Sequence, residues 1–109
     1  MEKTIPLTVN KTLKVHVADT FKKRLLGYMF QRTPKYDVLL IQPCNSVHTF
    51  FMGFAIDVLF LSKENVIIHR RRAVEPGKII MPVEGARRVL EAPAGTFENY
   101  VVGEKLEIK

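Results

Sequence analysis

Two polar side chains, His48 and Asp57, interrupt the otherwise oily run SVHTFFMGFAIDVLFL over residues 46–61. Imidazole titrates near neutral pH, and a carboxylate within hydrogen-bond reach orients it, so the two have the makings of a general base and its partner. Arg24, upstream, supplies a permanent cation that can pair with Asp57 or hold an anion. Thr49 adds a hydroxyl beside His48. Arg24, His48, Thr49 and Asp57 are therefore the candidate ligand-binding residues. Architecture competes for the same groups: a buried carboxylate must be satisfied, and either Arg24 or turn amides can satisfy Asp57.

Other chemistry-bearing residues are less well placed. Cys44 precedes His48 by four residues, but nucleophilic Cys–His pairs are drawn from distant parts of a chain, and nothing marks an oxyanion hole. His16, His48, His69 and Cys44 are the soft metal ligands, with no CxxC or HxxxH spacing, so neither a metal nor another cofactor is expected. The run HRRRAVEPGK makes Arg70, Arg71 and Arg72, together with Arg87 and Arg88, candidates for phosphate contacts to nucleic acid. A strand would point alternate arginines to opposite faces, however, and charges of this kind also protect edge strands. No helix-turn-helix, zinc-finger or RNA-recognition signature accompanies them.

Short β-rich runs position these groups. IPLTV and LKVHVA around NKT read as an opening hairpin. An amphipathic helix follows near residues 19–31, with Asp19 or Thr20 as its cap. Phe21, Leu25 and Met29 form its apolar face, and Gly27 inside it implies close backbone packing or a kink. VLLIQ, VHTFFM, DVLFLS, VIIHRRR, KIIM, RVLEA and KLEI then read as strands joined by Gly-, Pro- and Asn-bearing turns. Phe50, Phe51, Phe54 and Phe60 read as core, although adjacent Phe50 and Phe51 cannot both face it. Glu91 is expected to be exposed or paired. The fold class is mainly β (β-rich α+β): a compact antiparallel sandwich or barrel with one helix. No glycine-rich phosphate loop or alternating strand–helix rhythm points to a dinucleotide fold.

The 109 residues are of single-domain size, and 47% hydrophobic with 26% charged residues is globular composition. A lone cysteine rules out an internal disulfide and favours a reducing compartment. No run approaches a membrane span and no signal-like apolar core opens the chain, so a cytoplasmic protein without a membrane partner is expected. The net charge of +6 is uneven: residues 1–36 and 69–88 are basic, and the remainder is slightly acidic. Such a balance favours anionic partners without naming one.

FKKRLLGYMFQR, VHTFFMGFAIDVLFL and VLEAPAG, in this order, resemble the family known as domain of unknown function 192. Arg24, Gly27 and Met29 match its helix motif. His48, Thr49, Phe50, Met52, Ile56, Asp57 and Phe60 match its central motif, and Leu90, Glu91, Pro93, Ala94 and Gly95 its later turn. The pattern departs at Gly53, Ala55 and Ser62, where the family more often has a polar or basic residue, a nearby proline and an acid. The resemblance implies a small β-rich fold with one helix and no established reaction. The leading expectation is a non-enzymatic module for a small, anionic ligand. The alternatives are an enzyme of unassigned, for instance hydrolytic, reaction using His48 and Asp57, and a nucleic-acid binder using the arginine strand.

Overall fold

The computed structural model describes residues 2–8 and 11–108. In chain order the elements are β1 (Glu2–Thr8), β2 (Lys11–Ala18), α1 (Phe21–Leu26), β3 (Val38–Ile41), β4 (Val47–His48), β5 (Ile56–Leu61), β6 (Ile67–Val74), β7 (Ile79–Ile80) and β8 (Arg88–Pro93). Six strands form one sheet in the order β1-β2-β3-β8-β5-β6, and β4 pairs with β7 in a small second sheet. The mainly β, one-helix class read from the residues is the observed one.

The strands written in unbroken apolar letters take the middle of the sheet, where both faces are covered. β3 and β5 are buried at every position, and β8 at its four inner ones. Alternate residues feed two cores. Val38, Leu40, Leu59, Leu61, Leu90 and Ala92 face one, closed by Phe97, Tyr100 and Leu106. Leu39, Ile41, Val58, Phe60 and Val89 face the other, closed by Tyr28, Val47, Met52 and Ile80. Burying an aliphatic or aromatic side chain contributes roughly 1.5–3 kcal/mol, so the two layers supply most of the driving force.

Several expectations change. The β1–β2 hairpin forms, with Ile5 opposite Leu13; of its expected turn, Asn10 lies outside the described residues, and Lys11 and Thr12 belong to β2. β2 and β3 run parallel, because α1 intervenes as a crossover and parallel neighbours need such a connection. The helix is shorter than read: Thr20 Oγ1 accepts from the Lys23 amide, and Gly27, at φ 45°, closes it. Gly27 is thus a terminator rather than an interior kink, in a conformation that suits glycine. None of the α1 side chains is buried, so Phe21 and Leu25 of its expected apolar face are bare, while Met29 and Tyr28, past the helix end, are half-buried and buried. VHTFFM stops being a strand after His48, since Thr49 turns inward and Phe51 adopts φ 61°. KLEI contributes a single bridge, Val66 to Lys105.

Candidate functional site

Arg24, in the last turn of α1, and His48, at the end of β4, face each other across a hollow of about 40 Å³. Gly27, Cys44 and Met52 are among its other walls, and Glu91 lies at its base. Glu91 comes from the middle of β8. Its register partners are Leu39 on β3 and Val58 on β5, so its carboxyl rises from the largely apolar face those two residues share, where the Tyr28 hydroxyl donates to the Glu91 carbonyl rather than to its carboxyl. It is 2% exposed, and its Oε1 has no hydrogen-bond partner. A Cβ on Gly27 would stand 3.5 Å from that atom, so the helix end passes directly over the carboxyl. Burial pushes the Glu91 carboxyl up to about 8, because the charged form loses its hydration without gaining a counter-ion. At neutral pH the group is a neutral acid, able to donate.

The other walls follow from local structure. His48 Nδ1 accepts from the Phe50 amide at 3.2 Å, and the ring stacks on Phe50 with centroids 5.5 Å apart. A neutral imidazole whose Nδ1 accepts carries its proton on Nε2, which leaves His48 a donor. The Cys44 thiol donates to the Ser46 carbonyl at 3.0 Å; burial pushes its pKa up, Glu91 adds to the rise and Arg24 opposes it. A thiol held protonated is a poor nucleophile. Arg24 makes no ion pair among the described residues. Three donors (guanidinium, imidazole N–H and carboxylic acid) therefore belong to residues that line one small hollow. The hollow shares Ser46, Val47 and His48 with an apolar groove of about 250 Å³ bordered by Phe50, Ile79, Met81 and Pro82.

Of the four residues singled out from the sequence, Arg24 and His48 meet. Asp57 and Thr49 do not join them. Asp57 is 1% exposed, and both its oxygens are taken: Oδ1 accepts from the Ala73 amide at 2.9 Å, Oδ2 from the Gly95 and Phe97 amides at 2.8 and 3.0 Å. Backbone amides of β6 and of the turn after β8, not Arg24, satisfy it, and it does not orient His48. Thr49 is sealed as well. Its hydroxyl donates to the Glu75 carbonyl at 2.7 Å and accepts from the Lys78 amide at 2.8 Å, fastening the end of β4 to the turn before β7. Glu91 was expected to be exposed or paired; it is neither. A signal for it lay in VLEA: an acid inside a strand apolar on both sides of the pleat must be buried.

Three of the five arginines are held by neighbours. Arg70 donates to the Tyr100 carbonyl, Arg72 pairs with Glu98 at 3.6 Å, and Arg88 is held by Gln42 at 3.0 Å and Asn65 at 2.6 Å. Arg71 and Arg87 are exposed on β6 and just before β8. Among the described residues no group of three or more His, Cys, Asp or Glu is placed to hold a metal ion.

Residues 4–108 match the model of the DUF192 family, described as an uncharacterized ACR. The chain belongs to this family. A UPF0127 protein of Pyrococcus furiosus is 34% identical, with 93% of each chain covered. Another, from Thermococcus sibiricus, is 32% identical over 93% of this chain and 73% of its own. A solved protein of unknown function from Novosphingobium aromaticivorans superposes with a TM-score of 0.77 at 18% identity, covering 97% of this chain and 83% of that one. A candidate transcription regulator from Sinorhizobium meliloti does so with a TM-score of 0.83 at 24% identity, covering 98% and 92%. At these identities the solved structures share the fold with this DUF192 chain. Its family has no assigned reaction, so function must be argued from the hollow itself.

Proposed function

We propose that this DUF192 protein is a non-enzymatic binding module of the cytoplasm for a small anionic molecule with an apolar tail. The observation that carries the reading is the buried, unpartnered Oε1 of Glu91 at the base of a hollow walled by Arg24 and His48. Leaving a buried polar atom unpaired costs about 1–3 kcal/mol, and a ligand that hydrogen-bonds it recovers that cost. Arg24 matches the charge of a carboxylate head, while protonated Glu91 and the His48 Nε2–H give it neutral donors. The adjoining groove of about 250 Å³, bordered by Phe50, Ile79 and Met81, accepts the tail. Ligands of drug size use pockets from about 300 Å³ upward, so the molecule is smaller than these. With Asp57 fixed by amides and the Cys44 thiol held protonated, the hollow lacks an oriented base and an activated nucleophile, which favours binding over hydrolysis.

Hexanoate tests the reading. At ten times its Kd a ligand specific for the native state adds about 1.4 kcal/mol, or roughly 5–10 °C in Tm for a domain of this size. Hexanoate is expected to produce such a rise, hexanol a smaller one, and Arg24→Gln should remove the difference between them. An unchanged Tm over millimolar hexanoate, or the same rise in Arg24→Gln, refutes the assignment.

A further inference from the structure

We propose that the bare face of α1 and the two loops beside it dock the protein on an anionic phospholipid bilayer. Four large apolar side chains stand out there: Phe21, Phe30, Phe51 and Leu25 are 75, 70, 69 and 51% exposed. Phe21 and Leu25 are one helical turn apart, Leu25 and Met52 border one hollow, and Phe51, next to Met52, stacks on Phe30 with centroids 5.3 Å apart. Phe30 and Phe51 project outward as one stacked pair, and Phe21 and Leu25 stand exposed on the helix beside them.

Its construction is costly, which sets it apart from incidental surface phenylalanines. Phe30 and Phe51 both lie in the left-handed backbone region, at φ 66° and 61°, where bulky residues are genuine outliers. Strain of this kind persists only where surrounding structure imposes it, and it concentrates at functional positions. Here the Phe30 amide donates to the Phe51 carbonyl at 2.7 Å, and the Gly53 amide to the Gln31 carbonyl at 2.9 Å. The two loops are thereby clamped so that both rings leave the surface together.

Charge identifies the partner. Lys22, Lys23, Arg32 and Lys35 ring the cluster and are exposed, with no ion pair to any of them among the described residues. Residues 20–36 contain no acidic side chain. Lys23 and Lys35 also line a hollow of about 340 Å³ beside Phe30, room for a phosphate head beneath the ring plane. A second copy of this chain would bring like charges together. Protruding Phe and Leu side chains among cations match the composition of surfaces that lie in the membrane interface, apolar groups in the acyl boundary and ammonium groups at anionic heads. No helix among the described residues is long and apolar enough to span a bilayer, so attachment would be peripheral. The absence of a span gave no reason to expect a membrane partner from the sequence; exposure of the helix face supplies one.

Co-sedimentation with vesicles tests this. The protein should bind vesicles of phosphatidylcholine mixed with phosphatidylglycerol, and pure phosphatidylcholine at least about tenfold more weakly. The double variant Phe30→Asn and Phe51→Asn should lose about tenfold or more in binding to the mixed vesicles while keeping or raising Tm, because asparagine tolerates the left-handed region. Lys22→Glu with Lys23→Glu should weaken binding by a similar factor. Failure of the unmodified protein to sediment with the mixed vesicles overturns the proposal, as does undiminished binding by the Asn double variant. Phe30- and Phe51-dependent capture of a single-stranded oligonucleotide without vesicle binding would overturn it too, assigning the face to nucleic acid.

Discussion

Exchanging Glu91 for glutamine should free the protein from a pH dependence that one buried proton creates. In the folded chain burial raises the carboxyl to about 8 from its ordinary 4.5. Between those values the folded form holds a proton that the unfolded form has released, so raising the pH favours unfolding. One such proton gives a slope of about 1.4 kcal/mol per pH unit, and from pH 5 to pH 8 the loss reaches about 3–4 kcal/mol. That is a large share of the 5–15 kcal/mol typical of a domain. The stability from this group is complete below about pH 4.5 and lost as pH rises through 8. A glutamine in its place has nearly the same shape and never ionises, and the cost of burying the amide does not change with pH. Urea unfolding from pH 5 to pH 9 should therefore show the Glu91→Gln variant gaining on the parent by about 3–4 kcal/mol, whatever their offset at pH 5. Two curves that run parallel over that range would refute a solitary buried carboxyl and, with it, the neutral donor assigned to the hollow.

Asp57→Ala leaves the amides of Ala73, Gly95 and Phe97 without their acceptor and should cost about 3 kcal/mol or more by urea unfolding. Gly53→Ala should cost roughly 1–3 kcal/mol, because its new methyl would meet the Gln31 carbonyl oxygen at 2.6 Å and Arg32 Cα at 2.7 Å, both backbone; an unchanged Tm would show that the two loops separate freely. Hexanoate stabilisation should also weaken above pH 8, where Glu91 ionises and repels a carboxylate head.

Letters that are apolar without alternation announced the central strands, because only a strand covered on both faces can carry VLLI or IDVLFL. The parallel β2–β3 pair was hidden, since strand direction depends on where a short connecting helix returns the chain. The bare helix face was hidden for a related reason. A spacing of four residues marks a face as apolar, and says nothing of whether a neighbour covers it. Arg24 and His48 stand out by residue type, and the fold brings both to the wall of one hollow. Asp57 stands out equally, but its hydrogen bonds go to amides 16 to 40 residues away, a pairing that no local pattern encodes. Glu91 was overlooked because an acid next to a turn reads as surface, whereas register places it between Leu39 and Val58.

The strand order has a consequence for biosynthesis. β8 joins β3 to β5, yet among the described residues it follows all the other strands in the chain. Until residues 88–93 leave the ribosome, β3 and β5 have no ladder to each other, and a long stretch of VLLI and IDVLFL waits with open edges. Unpaired apolar edges are what chaperones capture and what aggregates. A nascent chain stalled before β8 should be held by such factors, and release of β8 should join its two halves into one six-stranded sheet.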